Sequence, residues 1–215
     1  MTKPLKIDFI SDVVCPWCVV GLGGLEQALG RLGDLVDADI RFHPFELNPA
    51  MPKGGQNLFE HLMQKYGQTP DQTRTNQQRL QARAAEVGFT MARDETSRMY
   101  NSFDAHRLLH WAGLEGRQAA LKHALFEAYF ARGESLDDPE MLIAAAKAAD
   151  LDPNTAREIL ASGRYAEEVR ADEREWLEKG ITSVPAVVID GRYLISGGQP
   201  AETFERAIRE IVAKG

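Results

Sequence analysis

The sequence contains very little cysteine. Only two of its 215 residues are cysteines, Cys15 and Cys18, and they lie three positions apart. This number alone excludes a four-cysteine zinc site. A disulfide-stapled scaffold is also excluded, because a bond between residues this close closes too short a loop to stabilise much.

The sequence also lacks a long apolar run and an excess of basic charge. No segment approaches the roughly 18 apolar residues of a membrane span. Its 32 acidic residues outnumber 25 basic ones, giving a formal net charge of −7, whereas proteins that bind nucleic acid usually present a basic face. We therefore expect neither a membrane nor a nucleic acid as a partner. The first residues run straight into a strand-like segment without an apolar signal region, which predicts a cytoplasmic protein.

The hydrophobic period changes twice along the chain. It predicts a strand, a helix, a strand, a long helical block, two strands and a final helix. These elements cover residues 5–10, 16–33, 39–47, 58–179, 186–189, 193–196 and 200 onward. Asp190-Gly191 is a strong hairpin turn signal, so the last two strands should be antiparallel. Pro44 indicates that the second strand lies at an edge of its sheet.

This order of elements predicts an α/β protein with a thioredoxin fold. A large all-helical insertion would separate a β-α-β half from a β-β-α half. We expect residues 1–57 and 180–215 to form the thioredoxin-like domain and residues 58–179 to form the helical insertion domain.

The two cysteines occupy a position with a clear chemical logic. They follow the first predicted strand and fall in the first turn of the next helix, where unpaired N–H groups and the helix dipole favour a thiolate. A thiolate is the form of cysteine that attacks disulfides. Cys15 is therefore the predicted nucleophile and Cys18, one turn further, the resolving thiol. Two alternatives stay open: an inert buried pair, or a metal site completed by distant histidines.

A second motif precedes the third predicted strand. Residues 180–185 end in Val184-Pro185, and a proline that opens a strand after a small polar turn is often a cis proline. In a thioredoxin fold such a loop faces the cysteines and leaves the backbone of Val184 free to pair with an extended substrate. The alternative is an ordinary proline at the start of a strand.

Together these motifs resemble those of a known family. Residues 11–18, with Cys15-Pro16-Trp17-Cys18, and residues 180–185 are similar to the DsbA-like thioredoxin oxidoreductases, most closely the cytoplasmic FrnE-type branch. Residues 101–108 and 196–200 also resemble that branch. The resemblance implies dithiol–disulfide exchange, Cys15 as nucleophile, Cys18 as its partner and Pro185 in cis. Related kappa-class glutathione transferases and 2-hydroxychromene-2-carboxylate isomerases typically carry serine at the position of Cys15, so two thiols favour the redox branch.

Four further residues are candidates for the site. Trp17 offers a large uncharged surface beside the sulfur, and we expect it to contact substrate. Asp12 would either relay a proton to or from Cys18 or merely accept hydrogen bonds from the backbone of the turn. His106 would line the space above the thiols, or pack in the core with a hydrogen bond. Asp8 would be a buried proton acceptor or a polar strand end.

The predicted function is disulfide exchange of the DsbA type, acting on protein or small-molecule disulfides and dithiols. No metal and no resident cofactor are expected, and glutathione is a candidate reductant or co-substrate. The chain would be a monomer or a homodimer. The alternatives are a glutathione-dependent isomerase or transferase, a chaperone-like module that binds peptides, and a zinc-binding stress protein.

Overall fold

The computed structural model describes residues 2–214 and contains a four-stranded sheet in the order β2-β1-β5-β6. The strands, in chain order, are β1 Lys3–Ser11, β2 Val36–Pro44, β3 Gln56–Asn57, β4 Arg98–Met99, β5 Ala186–Ile189 and β6 Tyr193–Ser196. β1 pairs in parallel with β2 and antiparallel with β5, which pairs antiparallel with β6. The predicted thioredoxin arrangement is therefore confirmed, and β2 is an edge strand, as Pro44 indicated.

One helix joins β1 to β2, seven helices lie between β2 and β5, and one follows β6 in the described part of the chain. They are α1 Pro16–Leu32, α2 Leu58–Tyr66, α3 Pro70–Glu86, α4 Phe103–Leu114, α5 Gln118–Phe126, α6 Pro139–Ala148, α7 Pro153–Ala161, α8 Ala166–Glu178 and α9 Ala201–Lys214. The helical insertion is confirmed, but it is not purely helical, because β3 and β4 form a small antiparallel pair within it. Each of these strands has two residues, too few for an alternating pattern to be visible in the sequence.

Helix α1 carries the candidate thiols and is fixed at both ends. Pro16 occupies its first turn, where a missing N–H costs nothing, and the chain leaves the helix through Gly33 at a φ of 51°. One face of α1 packs in the core, and the helix also contacts α9 closely at Gly24.

The larger of the two hydrophobic clusters among residues 2–214 extends from the sheet into the insertion. The rings of Phe9 in β1 and Phe42 in β2 pack edge to face, with centroids 5.7 Å apart, and the same cluster includes Leu108 of α4 and Phe126 of α5. In β2, Phe42 is buried and Ile40 is only half-buried.

Within residues 2–214, no helix combines the length and the apolar composition that crossing a membrane requires.

Candidate active site

The two thiols lie where β1 gives way to α1. Cys15 caps the helix with an extended backbone, and the amide N–H of Cys18 donates to the carbonyl oxygen of Cys15 at 3.0 Å. No disulfide joins Cys15 and Cys18 in this structure, and Cys15 is only 4% exposed. Cys18 is fully buried. Its burial, followed by its hydrogen bond with Cys15 and the charge of that neighbour, raises the pKa of the Cys18 thiol well above its ordinary value.

The loop before β5 faces Cys15. The Val184–Pro185 peptide bond is cis, as the resemblance implied. The Cys15 Sγ lies 3.7 Å from the carbonyl oxygen of Val184, within the range of a weak thiol hydrogen bond. The Pro185 carbonyl accepts a hydrogen bond from the Gly197 amide at 2.8 Å. The predicted nucleophile and the predicted substrate-pairing backbone, 169 positions apart in the sequence, are thus in contact.

Asp12 is completely buried and ties two loops together. Its carboxylate accepts from the amides of Val14 at 3.2 Å and Leu47 at 2.7 Å. Its Oδ1 also lies 3.4 Å from Nε2 of His106. Burial acts to raise the pKa of Asp12, but the hydrogen bonds and charge of His106, together with the other donors, lower it below its ordinary value. Asp12 therefore stabilises the turn, and its role as a proton relay stays a prediction.

His106 is not among the residues that line the space beside Cys15, and its role in substrate binding stays a prediction. It is buried on α4, and its Nε2 donates to the carbonyl oxygen of Phe45 at 3.1 Å. The physical reason is its place on the inner face of the helix, next to the buried residues Ala105 and Leu108. Of the two interpretations of His106, the packed and hydrogen-bonded one fits this position.

Asp8 is buried in β1 rather than exposed at a strand end. It accepts a hydrogen bond from Nε2 of His43 at 3.0 Å, and the other ring nitrogen of His43 lies 2.9 Å from Asp172. This cluster joins β1, β2 and α8 and does not include either thiol.

Lys122 is a site residue that we did not predict. Its side chain on α5 is fully buried, and its Nζ has no hydrogen-bond partner. Burial lowers the pKa of Lys122 to about 8, although the charges of Cys18, Asp12 and Cys15 oppose the shift. A signal existed in the sequence, because Lys122 is three and four residues from Leu125 and Phe126 and so shares their apolar helix face.

A cleft of about 390 Å³ opens beside Cys15. Trp17, 38% exposed, and Val184 lie along it with the thiol, while Leu58, Leu62, Leu80 and Met99 form much of its apolar wall. The polar side chains along it include His61, Lys65, Gln77, Arg79 and Arg93. No carboxylate lies along the cleft among the residues that the structure describes. The cleft thus brings together the predicted residues Cys15, Trp17 and Val184, and its basic groups were not predicted.

Across the described part of the chain, no group of three or more His, Cys, Asp or Glu side chains is arranged to hold a metal ion.

Comparison of the sequence with known protein families agrees with the geometry of the thiols and the cis proline. Residues 6–209 match the family model described as the DSBA-like thioredoxin domain. The chain belongs to this family. Membership in the DSBA-like family confirms the resemblance that the motifs indicated, and it covers the helical insertion as well as the sheet.

Several proteins are similar to this DSBA-like chain over most of its length. The crystal structure of the probable DsbA oxidoreductase SCO1869 from Streptomyces coelicolor is 38% identical, with a TM-score of 0.90, over 96% of this chain and 89% of that one. The uncharacterized protein YwbO of Bacillus subtilis is 26% identical over 98% of both chains. A 2-hydroxychromene-2-carboxylate isomerase shares the fold, with 18% identity and a TM-score of 0.70 over 97% of both chains.

Proposed function

We propose that the protein is a thiol–disulfide oxidoreductase that exchanges disulfides through Cys15 and Cys18. The observation that carries the proposal is the position of the Cys15 sulfur, at the start of α1 and 3.7 Å from the Val184 carbonyl oxygen beside cis Pro185. Cys18 lies one turn deeper, where it can reach Cys15 but not a bulky substrate. One thiol is therefore suited to attack and the other to resolve.

The exchange proceeds in two steps. The Cys15 thiolate attacks one sulfur of a substrate disulfide, a mixed disulfide forms, and the first substrate thiolate leaves. The Cys18 thiolate then attacks the Cys15 sulfur and releases the second substrate thiolate. The substrate gains two electrons and two protons, and the protein keeps a Cys15–Cys18 disulfide. An external thiol restores the reduced pair by the reverse steps.

The second step requires that buried Cys18 lose its proton. Burial raises the pKa of this thiol, so a nearby base would accelerate the step. Lys122 is one candidate acceptor, because burial lowers its pKa to about 8, and Asp12 is the other. In the reverse step the same group would return the proton to Cys18.

The proposal also covers the substrate contacts, the reductant, the compartment and the oligomeric state. Trp17, Val184 and Pro185 would contact the substrate, which is a protein or small-molecule disulfide or dithiol. No resident cofactor is needed for the exchange, and glutathione is the proposed reductant or co-substrate. We place the reaction in the cytoplasm and expect a monomer or a homodimer.

Replacing the resolving thiol tests the proposal directly. In Cys18→Ser the first step can occur and the second cannot, so incubation with a disulfide substrate should accumulate a mixed disulfide at Cys15, detected by intact-protein mass spectrometry. Wild-type protein should reduce insulin disulfides with dithiothreitol as reductant, and Cys18→Ser should lose most of this activity. The Cys15→Ser variant is the matched control and should form no adduct. Absence of an adduct in Cys18→Ser would exclude Cys15 as the nucleophile.

The size of the cleft supports one alternative function, that of an enzyme with a small-molecule substrate. A volume of about 390 Å³ suits a small molecule, as a glutathione-dependent isomerase or transferase would require. Such an enzyme would retain its turnover of a small substrate in Cys18→Ser. A chaperone-like module would instead suppress aggregation equally well in wild type and Cys15→Ser.

A further inference from the structure

The deepest basic group of the cleft is the guanidinium of Arg93. It lies in the loop between α3 and β4, is only 7% exposed, and has a buried Nη2 without any hydrogen-bond partner. Among residues 2–214, no carboxylate lies within 4 Å of this guanidinium, whereas ten other arginines have such a partner. A buried cation that the protein leaves unpaired is unusual, because its lost hydration is not replaced.

The position of Arg93 is fixed by aromatic faces. The guanidinium carbon lies 4.5 Å from the ring centroids of both Tyr129 and Phe130. The carbonyl oxygen of Arg93 accepts a hydrogen bond from the side-chain amide of Gln81 at 2.9 Å. The guanidinium thus packs against two aromatic rings while its Nη2 keeps N–H donors without a partner. The side chain therefore meets the cleft already ordered.

The other basic groups of the cleft are less suited to hold an anion. Lys65 already donates to the Leu47 carbonyl and to Asn48, at 2.9 and 2.8 Å. Arg79 is exposed at the surface. Burial and the nearby charge of Lys65 lower the pKa of His61, which favours its neutral form. Arg93 is thus the buried cation with donors to spare.

A complementary acceptor lines the same cleft. Gln77 on α3 is 9% exposed, and its Oε1 is buried without a hydrogen-bond partner. A ligand that fills the cleft would satisfy both groups if it carried a carboxylate for Arg93 and an N–H donor for Gln77. Arginine favours carboxylates because its parallel N–H groups match their two oxygens.

We propose that Arg93 and Gln77 form a carboxylate-binding subsite beside Cys15, and that the substrate is a low-molecular-weight disulfide or thiol bearing a carboxylate and an N–H donor. The inference rests on the proposed disulfide exchange and names its substrate class. The size of the cleft favours a small molecule over a folded protein surface. Bound in this way, the ligand would present its sulfur to Cys15.

The test compares a charged with a neutral disulfide. Oxidised glutathione carries carboxylates and amide N–H groups, and hydroxyethyl disulfide carries neither. We expect Arg93→Gln to lower the ratio of kcat/KM for oxidised glutathione to kcat/KM for hydroxyethyl disulfide at least tenfold, mainly through KM. The ratio for Arg93→Lys should lie between those of wild type and Arg93→Gln. Lysine keeps the positive charge, but its ammonium cannot donate two parallel hydrogen bonds to a carboxylate as a guanidinium does. Arg209→Gln on α9 removes the same charge outside the cleft and should keep the wild-type ratio.

A binding measurement separates failure of the subsite from failure of the proposed reaction. Reduced glutathione is titrated by calorimetry into Cys15→Ser and into Cys15→Ser with Arg93→Gln, neither of which can exchange disulfides at residue 15. We expect at least tenfold weaker binding in the double variant, whether or not wild type proves to be an oxidoreductase. Equal binding, or an unchanged substrate ratio in Arg93→Gln, would overturn the subsite. A loss confined to insulin reduction would assign Arg93 to protein substrates and also overturn it.

Discussion

At the scale of single residues, Lys122 is a buried amine whose charge interacts with those of Cys18, Asp12 and Cys15. Its amine is fully buried, and burial lowers its pKa to about 8, whereas in an unfolded chain the pKa is about 10.4. Below pH 8 the native state must therefore hold a charge that is better solvated after unfolding. Lys122→Met should raise the free energy of unfolding at pH 7 by about 3 kcal/mol, because each pKa unit corresponds to about 1.4 kcal/mol.

The pH dependence of this effect has a definite sign. Between about pH 8 and pH 10.4 the unfolded chain binds more protons at this lysine than the native protein does, so the wild type gains stability as pH rises. The advantage of Lys122→Met at pH 9.5 should be less than half that at pH 7, measured by urea unfolding of the reduced proteins. Lys147→Met, at an exposed lysine of α6, is the control and should show no such dependence. If Lys122→Met were the less stable protein at pH 7, the ammonium would be stabilised by its neighbours instead.

At the scale of elements, the contact between α1 and the start of α9 explains a glycine inside a helix. A Cβ on Gly24 would lie 2.5 Å from the carbonyl oxygen of Gln199, a backbone atom that cannot swing away. Gly30, on the same helix, has nothing within 4 Å of an added Cβ. Gly24→Ala should lower the stability by about 1–3 kcal/mol through overpacking. Gly30→Ala should raise it by about 0.5–1 kcal/mol through helix propensity, and thermal unfolding of both variants decides the comparison. If both substitutions stabilised the protein, α9 would have to move readily away from the added Cβ at residue 24.

Elements that carry their own local signals could be predicted closely. The bounds predicted for β5 and β6 agree with the structure, because a short apolar strand and the Asp190-Gly191 turn define the hairpin without help from distant residues. The end of α2 carries a local signal of the same kind, because the chain leaves the helix at Gly67 in a left-handed conformation. The pairing of β3 with β4 joins segments about forty residues apart, and no local pattern encodes it.

The residues of the candidate site show the same difference between local signals and long-range contacts. Cys15, Cys18 and Pro185 lie in motifs whose spacing carries chemical meaning, so they could be recognised in the sequence. The partners of His106 and Arg93 depend on which faces meet after folding. A histidine or arginine has the same helix or loop propensity whether it ends in the cleft or in the core, and tertiary packing alone decides between the two.

At the scale of the whole molecule, the division into a thioredoxin-like domain and a helical domain stays a prediction, and the shared core bears on how the two would unfold. One hydrophobic cluster runs through the sheet and the insertion. The side chain of Gln118 at the start of α5 also completes the edge of β2, accepting from the Phe42 amide and donating to the Phe42 carbonyl oxygen, both at 2.9 Å. We therefore expect a single calorimetric transition, with a calorimetric enthalpy equal to the van't Hoff enthalpy.

A substitution at this junction should lower the stability of the entire chain. Gln118→Leu leaves the amide and carbonyl of Phe42 without their partner, at a cost of about 1–3 kcal/mol, which corresponds to a fall in Tm of roughly 2–10 °C. Because the sheet and the insertion share their core, the transition should move without splitting. Gln64→Leu, at an exposed glutamine of α2, is the matched control and should leave Tm within a degree or so of wild type. Two separate transitions in Gln118→Leu, only one of them shifted, would show that the sheet and the helical insertion unfold as independent units.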